Sequence, residues 1–138
     1  MASVGYTLVG MSEHSHMYGA DVANALAPIA RELRHEIPDV VKAFSELHKA
    51  AMSDGALDGA TKELIALAIA VSHRCDGCIA AHARGAARKR ANRQQVAEAI
   101  GVAILMNGGP ATVYGPRALA AYDDFAAPGE PAPPSAGI

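Results

Sequence analysis

Glu63-Leu-Ile-Ala-Leu-Ala-Ile-Ala-Val-Ser-His-Arg-Cys75-Asp-Gly-Cys78-Ile-Ala-Ala-His82 holds both cysteines of the chain, the histidines His73 and His82, and a carboxylate, Glu63, isolated from other charges on its C-terminal side. From Leu64 to Ser72 it carries no charge and is apolar on all sides, the pattern of a helix that lies inside a molecule. On one straight helix the twelve steps from Glu63 to Cys75 would span about 18 Å, so carboxylate and thiol can meet only if the chain turns. A turn near His73-Arg74, with a new helix beginning at Cys75, makes an antiparallel helix hairpin. Counting outward from that turn brings Glu63 level with residues 82 to 84, so its natural neighbour is His82. On the second helix Cys78 and His82 are four apart and share a face, while Cys75 and Cys78 are three apart near the first turn. Carboxylate, imidazole and thiol are then expected in a line.

Each of these groups has a chemical reason to be there. A thiol attacks as its thiolate, and both a helix N-terminus and a Cys-x-x-Cys arrangement lower a thiol's pKa. His82 can take the thiol proton, and Glu63 can hold the imidazole in the tautomer that does so. A thiol that attacks a peroxide becomes a sulfenic acid, which a neighbouring cysteine condenses to a disulfide before over-oxidation. Asp76, between the cysteines, would oppose a thiolate beside it. Taken alone, Glu63 is equally at home favouring the positive end of its own helix or pairing with a basic neighbour. A Cys-x-x-Cys also opens many zinc sites, but zinc needs two more ligands. The nearby histidines are His73 and His82, and His73, just before the turn, does not easily converge with helix-borne groups; no metal or cofactor is assigned.

Outward from this stretch the chain reads as helices. A pattern from Asp21 places Val22, Leu26, Ile29, Ala30 and Leu33 at three- and four-residue steps, with Pro28 marking a helix start or a kink. Pro38 suits the first position of the next helix, whose face is Val40, Val41, Phe44, Leu47 and Met52; His48 on it has no partner in view and is read as structural. Asp58 is a candidate cap for the helix that contains Glu63. Beyond His82 the helix runs to Lys89-Arg90. Asn92 or Arg93 starts another helix, with Val96, Ala99, Ile100, Ala103, Ile104 and, as core, Met106. Asn107-Gly108-Gly109-Pro110 ends it, and a last helix from about Ala111 or Pro116 carries Leu119, Tyr122 and Phe125. The expectation is an all-α bundle of about six helices over residues 21–125. A loosely attached arm (residues 1–20, with His14 and His16 assigned no role) precedes it, and a flexible Pro/Ala-rich tail (126–138) follows.

Composition excludes several function classes. At 138 residues and 51% apolar content the chain can bury a core as one domain, and two cysteines three apart are no secreted disulfide framework, which fits a reducing compartment such as the cytoplasm. A net charge of −2 leaves no footprint for nucleic acid, and the basic run Arg84 to Arg93 reads as a solvated face or turn. The longest uncharged apolar segment is about half of the roughly 20 residues a membrane helix needs, and no signal peptide is evident.

The spacing Glu63, twelve on to Cys75, then Cys-x-x-Cys-x-x-x-His, resembles the alkylhydroperoxidase D-like branch of the carboxymuconolactone decarboxylase superfamily. So do the text KELIALAIAVSHRCDGCIAAHARGA around it and VAEAIGVAILMNGGPATVYGPRALAAYDDF later, so that the likeness covers residues 38 to 125. The resemblance implies an all-helical unit that assembles into trimers or hexamers. It makes Cys78 the attacking thiol and Cys75 the resolving one, with Glu63 and His82 as the proton relay. It implies a peroxide substrate and a dithiol reductant of lipoyl or thioredoxin-like kind. The best-studied peroxidase members carry an extra histidine immediately before the second cysteine, where this chain has Gly77. True lactone decarboxylases of the superfamily lack the cysteine pair. The expected function is thus a thiol-dependent peroxidase. Its alternatives are a dithiol–disulfide oxidoreductase without peroxidase activity, a carboxymuconolactone decarboxylase-like enzyme, and a helical scaffold in which the cysteines are merely tolerated.

Overall fold

A computed structural model describes residues 17–127. Among them are six helices, α1 (Ala20–Glu36), α2 (Pro38–Met52), α3 (Gly59–Ser72), α4 (Asp76–Arg88), α5 (Arg93–Asn107) and α6 (Gly109–Ala126), and no strand. The fold is all-α, as the periodicity predicts. His14, His16, most of the arm and nearly all of the tail lie outside the described residues. Met17 to Ala20, grouped with the arm above, are within them: the backbone N–H of Ala20 donates to the buried carboxylate of Asp124 at 2.7 Å and so ties the start of α1 to α6.

Local chemistry sets most helix ends. Asp58 caps α3 by accepting the N–H of Thr61 at 2.7 Å, and that bond holds its carboxyl below the ordinary range. Asn92 and Gln95 form a reciprocal capping box at the start of α5. Gly108, at φ 67°, ends α5 in left-handed backbone. Arg74 and Arg90 take the same conformation without being glycine, at φ 53° and 62°, in the turns on either side of α4. α1 runs from Ala20, beside the start expected at Asp21, and carries Pro28 in its interior, so Pro28 is no helix start; α6 begins at Gly109, near the earlier of its two expected starts, so that Pro116 is interior.

The core belongs to α3 through α6. Leu67 and Val71 from α3, Ile79 from α4 and Val96 from α5 are fully buried, and alanines such as Ala83, Ala86, Ala118 and Ala121 let the helix backbones approach closely. The faces predicted for α1 and α2 are different, since neither helix buries a residue: Ile29 is 57% exposed and Val40 63%. Ile69 on α3 (51%) and Met106 on α5 (77%), expected inside, are also open. Periodicity marks which side of a helix is apolar; it does not say whether the same chain covers that side. No helix among the described residues is long and apolar enough to cross a membrane.

Tyr122 locks α6 onto the α4–α5 turn, its buried hydroxyl donating to the carbonyl of Ala91 at 2.6 Å. Burial, and then the charge of Asp123, push the phenol pKa up. Tyr122→Phe leaves that carbonyl without its partner and should cost about 1–2 kcal/mol, read as a lower urea midpoint at unchanged slope.

Candidate active site

The hairpin of α3 and α4 positions the site. The turn is made by His73, which ends α3, and by Arg74 in left-handed backbone; Cys75 then caps α4, its Sγ accepting the N–H of Cys78 at 3.2 Å. Cys75 and Cys78 are joined as a disulfide across a Cα–Cα distance of 5.2 Å. Cys78 is the exposed one, and Cys75 is half-buried. The sulfurs therefore have different surroundings: the helix end serves Cys75, and the four-residue step to His82 belongs to Cys78.

Across the hairpin, His82 Nδ1 meets Glu63 Oε2 at 2.8 Å. An ionised carboxylate can only accept, so against one Nδ1 carries the hydrogen, and in the neutral imidazole Nε2 then presents the lone pair. Glu63 is 6% exposed, which makes this bond obligatory, because a buried carboxylate without a partner is costly. Room for it comes from Gly85, one turn beyond His82, where any Cβ would collide with the Glu63 carboxyl group. The sequence marks that position only as a glycine inside a helix, a residue that needs a packing reason.

Three further residues reach the site without having been singled out for it. His48, read above as structural, stacks its ring on His82 at 6.1 Å between centroids and 22° between planes. Arg117 of α6 places Nη1 3.3 Å from both carboxylate oxygens of Asp76, and its guanidinium lies over Tyr114 at 4.4 Å and Tyr18 at 5.4 Å. Leu26 of α1 covers Gly77, since a Cβ there would lie 2.9 Å from Leu26 Cδ1. The contacts His48–His82, Arg117–Asp76 and Leu26–Gly77 join residues 34, 41 and 51 apart in sequence, and no spacing rule signals them. The basic run is also not wholly solvated: Arg84 lies over Phe125 at 5.6 Å and its pKa is lowered by burial and by Arg88, while Arg93 pairs with Asp123 at 2.8 Å. His73 is exposed at the end of α3, and no cluster of three or more metal-ligating side chains occurs among the described residues.

A helical hairpin that opens its second helix on a Cys-x-x-Cys disulfide, with a half-buried histidine one turn on held by a buried glutamate, defines a class of all-α protein with a redox-capable cysteine pair. The profile of the carboxymuconolactone decarboxylase family matches residues 38–122, and the chain belongs to that family, consistent with its alkylhydroperoxidase D-like branch. The crystal structure of an apo carboxymuconolactone decarboxylase family protein from Legionella pneumophila superposes with a TM-score of 0.77 at 37% identity, covering 81% of this chain and 99% of that one. An uncharacterised protein of Cupriavidus necator is 42% identical over 106 residues, 75% of this chain and 94% of its own. An uncharacterised protein of the cox locus of Paracoccus denitrificans is 45% identical over 83 residues, 60% of this chain and 75% of its own.

Gly85→Ala should dislodge the Glu63 carboxylate and cost about 1–3 kcal/mol through overpacking. The check is a urea midpoint together with the imidazole NMR signal of His82, which should lose its carboxylate partner.

Proposed function

We propose that the protein is a thiol-dependent hydroperoxide reductase working through Cys75 and Cys78. The observation that carries this reading is the disulfide at the start of α4 with His82, one turn on, held by the buried Glu63. In the reduced protein His82 Nε2 takes the Cys78 proton, and the thiolate attacks the terminal peroxide oxygen. The O–O bond breaks, the proton passes to the departing alkoxide, and an alcohol leaves Cys78 as its sulfenic acid. Cys75 then attacks the Cys78 sulfur, its own proton leaves with the hydroxide as water, and the disulfide results. A dithiol of lipoyl or thioredoxin-like kind returns two electrons and two protons, ending as its own disulfide. The exposure of Cys78 suits it both to peroxide and to the donor.

One observation favours a second reading, dithiol–disulfide exchange without peroxide. Gly77 offers no side chain before Cys78, and Leu26 fills the space where one would begin. The reductant and the substrate class separate the two readings. Peroxide turnover with dihydrolipoamide as donor should be abolished by Cys78→Ser. Cys75→Ser should leave a sulfenic acid that dimedone traps. His82→Ala should cost about 10²- to 10⁴-fold and move the pH midpoint of Cys78 alkylation upward. Exchange with dihydrolipoamide but not with peroxide would establish the second reading instead.

We also propose a homo-oligomer, trimer or hexamer, in a reducing compartment such as the cytoplasm. The open apolar side chains of α1 and α2, with Ile69 and Met106, support it, because soluble single chains seldom leave such rows to water. Light scattering should give three or six chains per particle, and Ile69→Glu should lower that number.

A further inference from the structure

Asp76 stands at the most sensitive point of the redox centre. It is bonded to Cys75, it is the first residue of α4, and its negative charge shares that helix end with the sulfur that accepts the Cys78 N–H. A carboxylate there satisfies the helix dipole but raises the cost of a thiolate beside it. Arg117 answers that charge from another helix. Its Nη1 lies 3.3 Å from both Asp76 oxygens, and the guanidinium is held in place by Tyr114 on its own helix and Tyr18 from before α1. The pair is partly shielded, with side chains 30% and 42% exposed, so solvent does not screen it fully.

We infer that Arg117 is a positioning residue that sets the thiol acidity and reducibility of the Cys75–Cys78 couple by neutralising Asp76. The inference rests on the reversible dithiol–disulfide chemistry of the proposed function and not on peroxide as the oxidant. Without the guanidinium the Asp76 charge acts on the sulfurs unopposed. The thiolate is then less stable, the thiols titrate at higher pH, and the disulfide becomes harder to reduce wherever the reduced form is thiolate. Without the carboxylate the opposite holds, because the cation remains. Other titratable and charged groups at the pair and along the hairpin are Tyr114 and Tyr18 against the guanidinium, His82 on α4 with its neighbours Glu63 on α3 and His48 on α2, and His73 and Arg74 in the turn; α1 presents the apolar Leu26. Neither substitution replaces any of these residues.

The test uses the full chain and needs no peroxide. The reduced protein is alkylated with iodoacetamide across a pH series, and the disulfide is equilibrated with glutathione at alkaline pH. Arg117→Gln should raise the alkylation midpoint by about 0.5–1 unit, a three- to tenfold slower reaction near neutrality, and lower the equilibrium constant for reduction by up to about tenfold, or about 30 mV for a two-electron couple. Asp76→Asn should move both in the opposite direction, the double variant should return close to the parent protein, and Arg117→Lys should recover most of the loss. A purely structural role for Arg117 predicts no such opposition of signs. Midpoint and equilibrium constant unmoved in Arg117→Gln, or moved the same way by both single variants, would overturn the inference. A protein that meets these expectations yet turns over no peroxide would refute the peroxidase reading alone.

Discussion

The contact between Glu63 and His82 is the constraint on which the rest of the site depends. A carboxylate placed on a helix that otherwise buries Leu67, Ala70 and Val71 must have a partner, and one partner the structure supplies comes from across the hairpin. That requirement fixes the register of α3 against α4, and the register in turn fixes where the cysteines stand. With Nδ1 engaged by the carboxylate the imidazole is oriented, as the proposed proton relay requires. Gly85 shows how tightly the space is shared: α4 gives up a side chain so that the carboxyl group can lie against its backbone.

Around this pair the molecule grades from buried to exposed. Alanines bring α3 to α6 into close contact, and side-chain caps at Asp58, Cys75 and Asn92 close the starts of α3, α4 and α5. The disulfide lies at the boundary, Cys78 toward solvent and Cys75 half-covered, while the acid behind it stays buried. α1 and α2 form an outer layer that buries nothing of its own, yet it delivers Leu26 over Gly77 and His48 onto His82. The layer that looks least committed to the fold therefore shapes the mouth of the site.

The charge arrangement follows the same division of labour between local and distant parts of the chain. Asp76 satisfies the start of α4 within its own turn, at the expense of any thiolate close by. Arg117 compensates from 41 residues away, steadied by two tyrosines, so that helix capping and sulfur chemistry share one helix end.

The fold class, the hairpin, the cap at Asp58, the start of a helix at Asn92 or Arg93 and the Glu63–His82 neighbour relation were all legible in the chain, because each is set by spacing within a helix or across a single tight turn. Five features were not: the openness of α1 and α2, the exposure of Ile69 and Met106, the stacking of His48, the cover that Leu26 provides and the Arg117–Asp76 pair. An apolar stripe reports only that something must cover it, and a lone histidine or arginine carries no period that names its partner. Spacing acts through bonds and helical geometry and so determined the local chemistry. Which helix lies beside which is decided by packing of the whole chain, and only the tertiary structure could settle it.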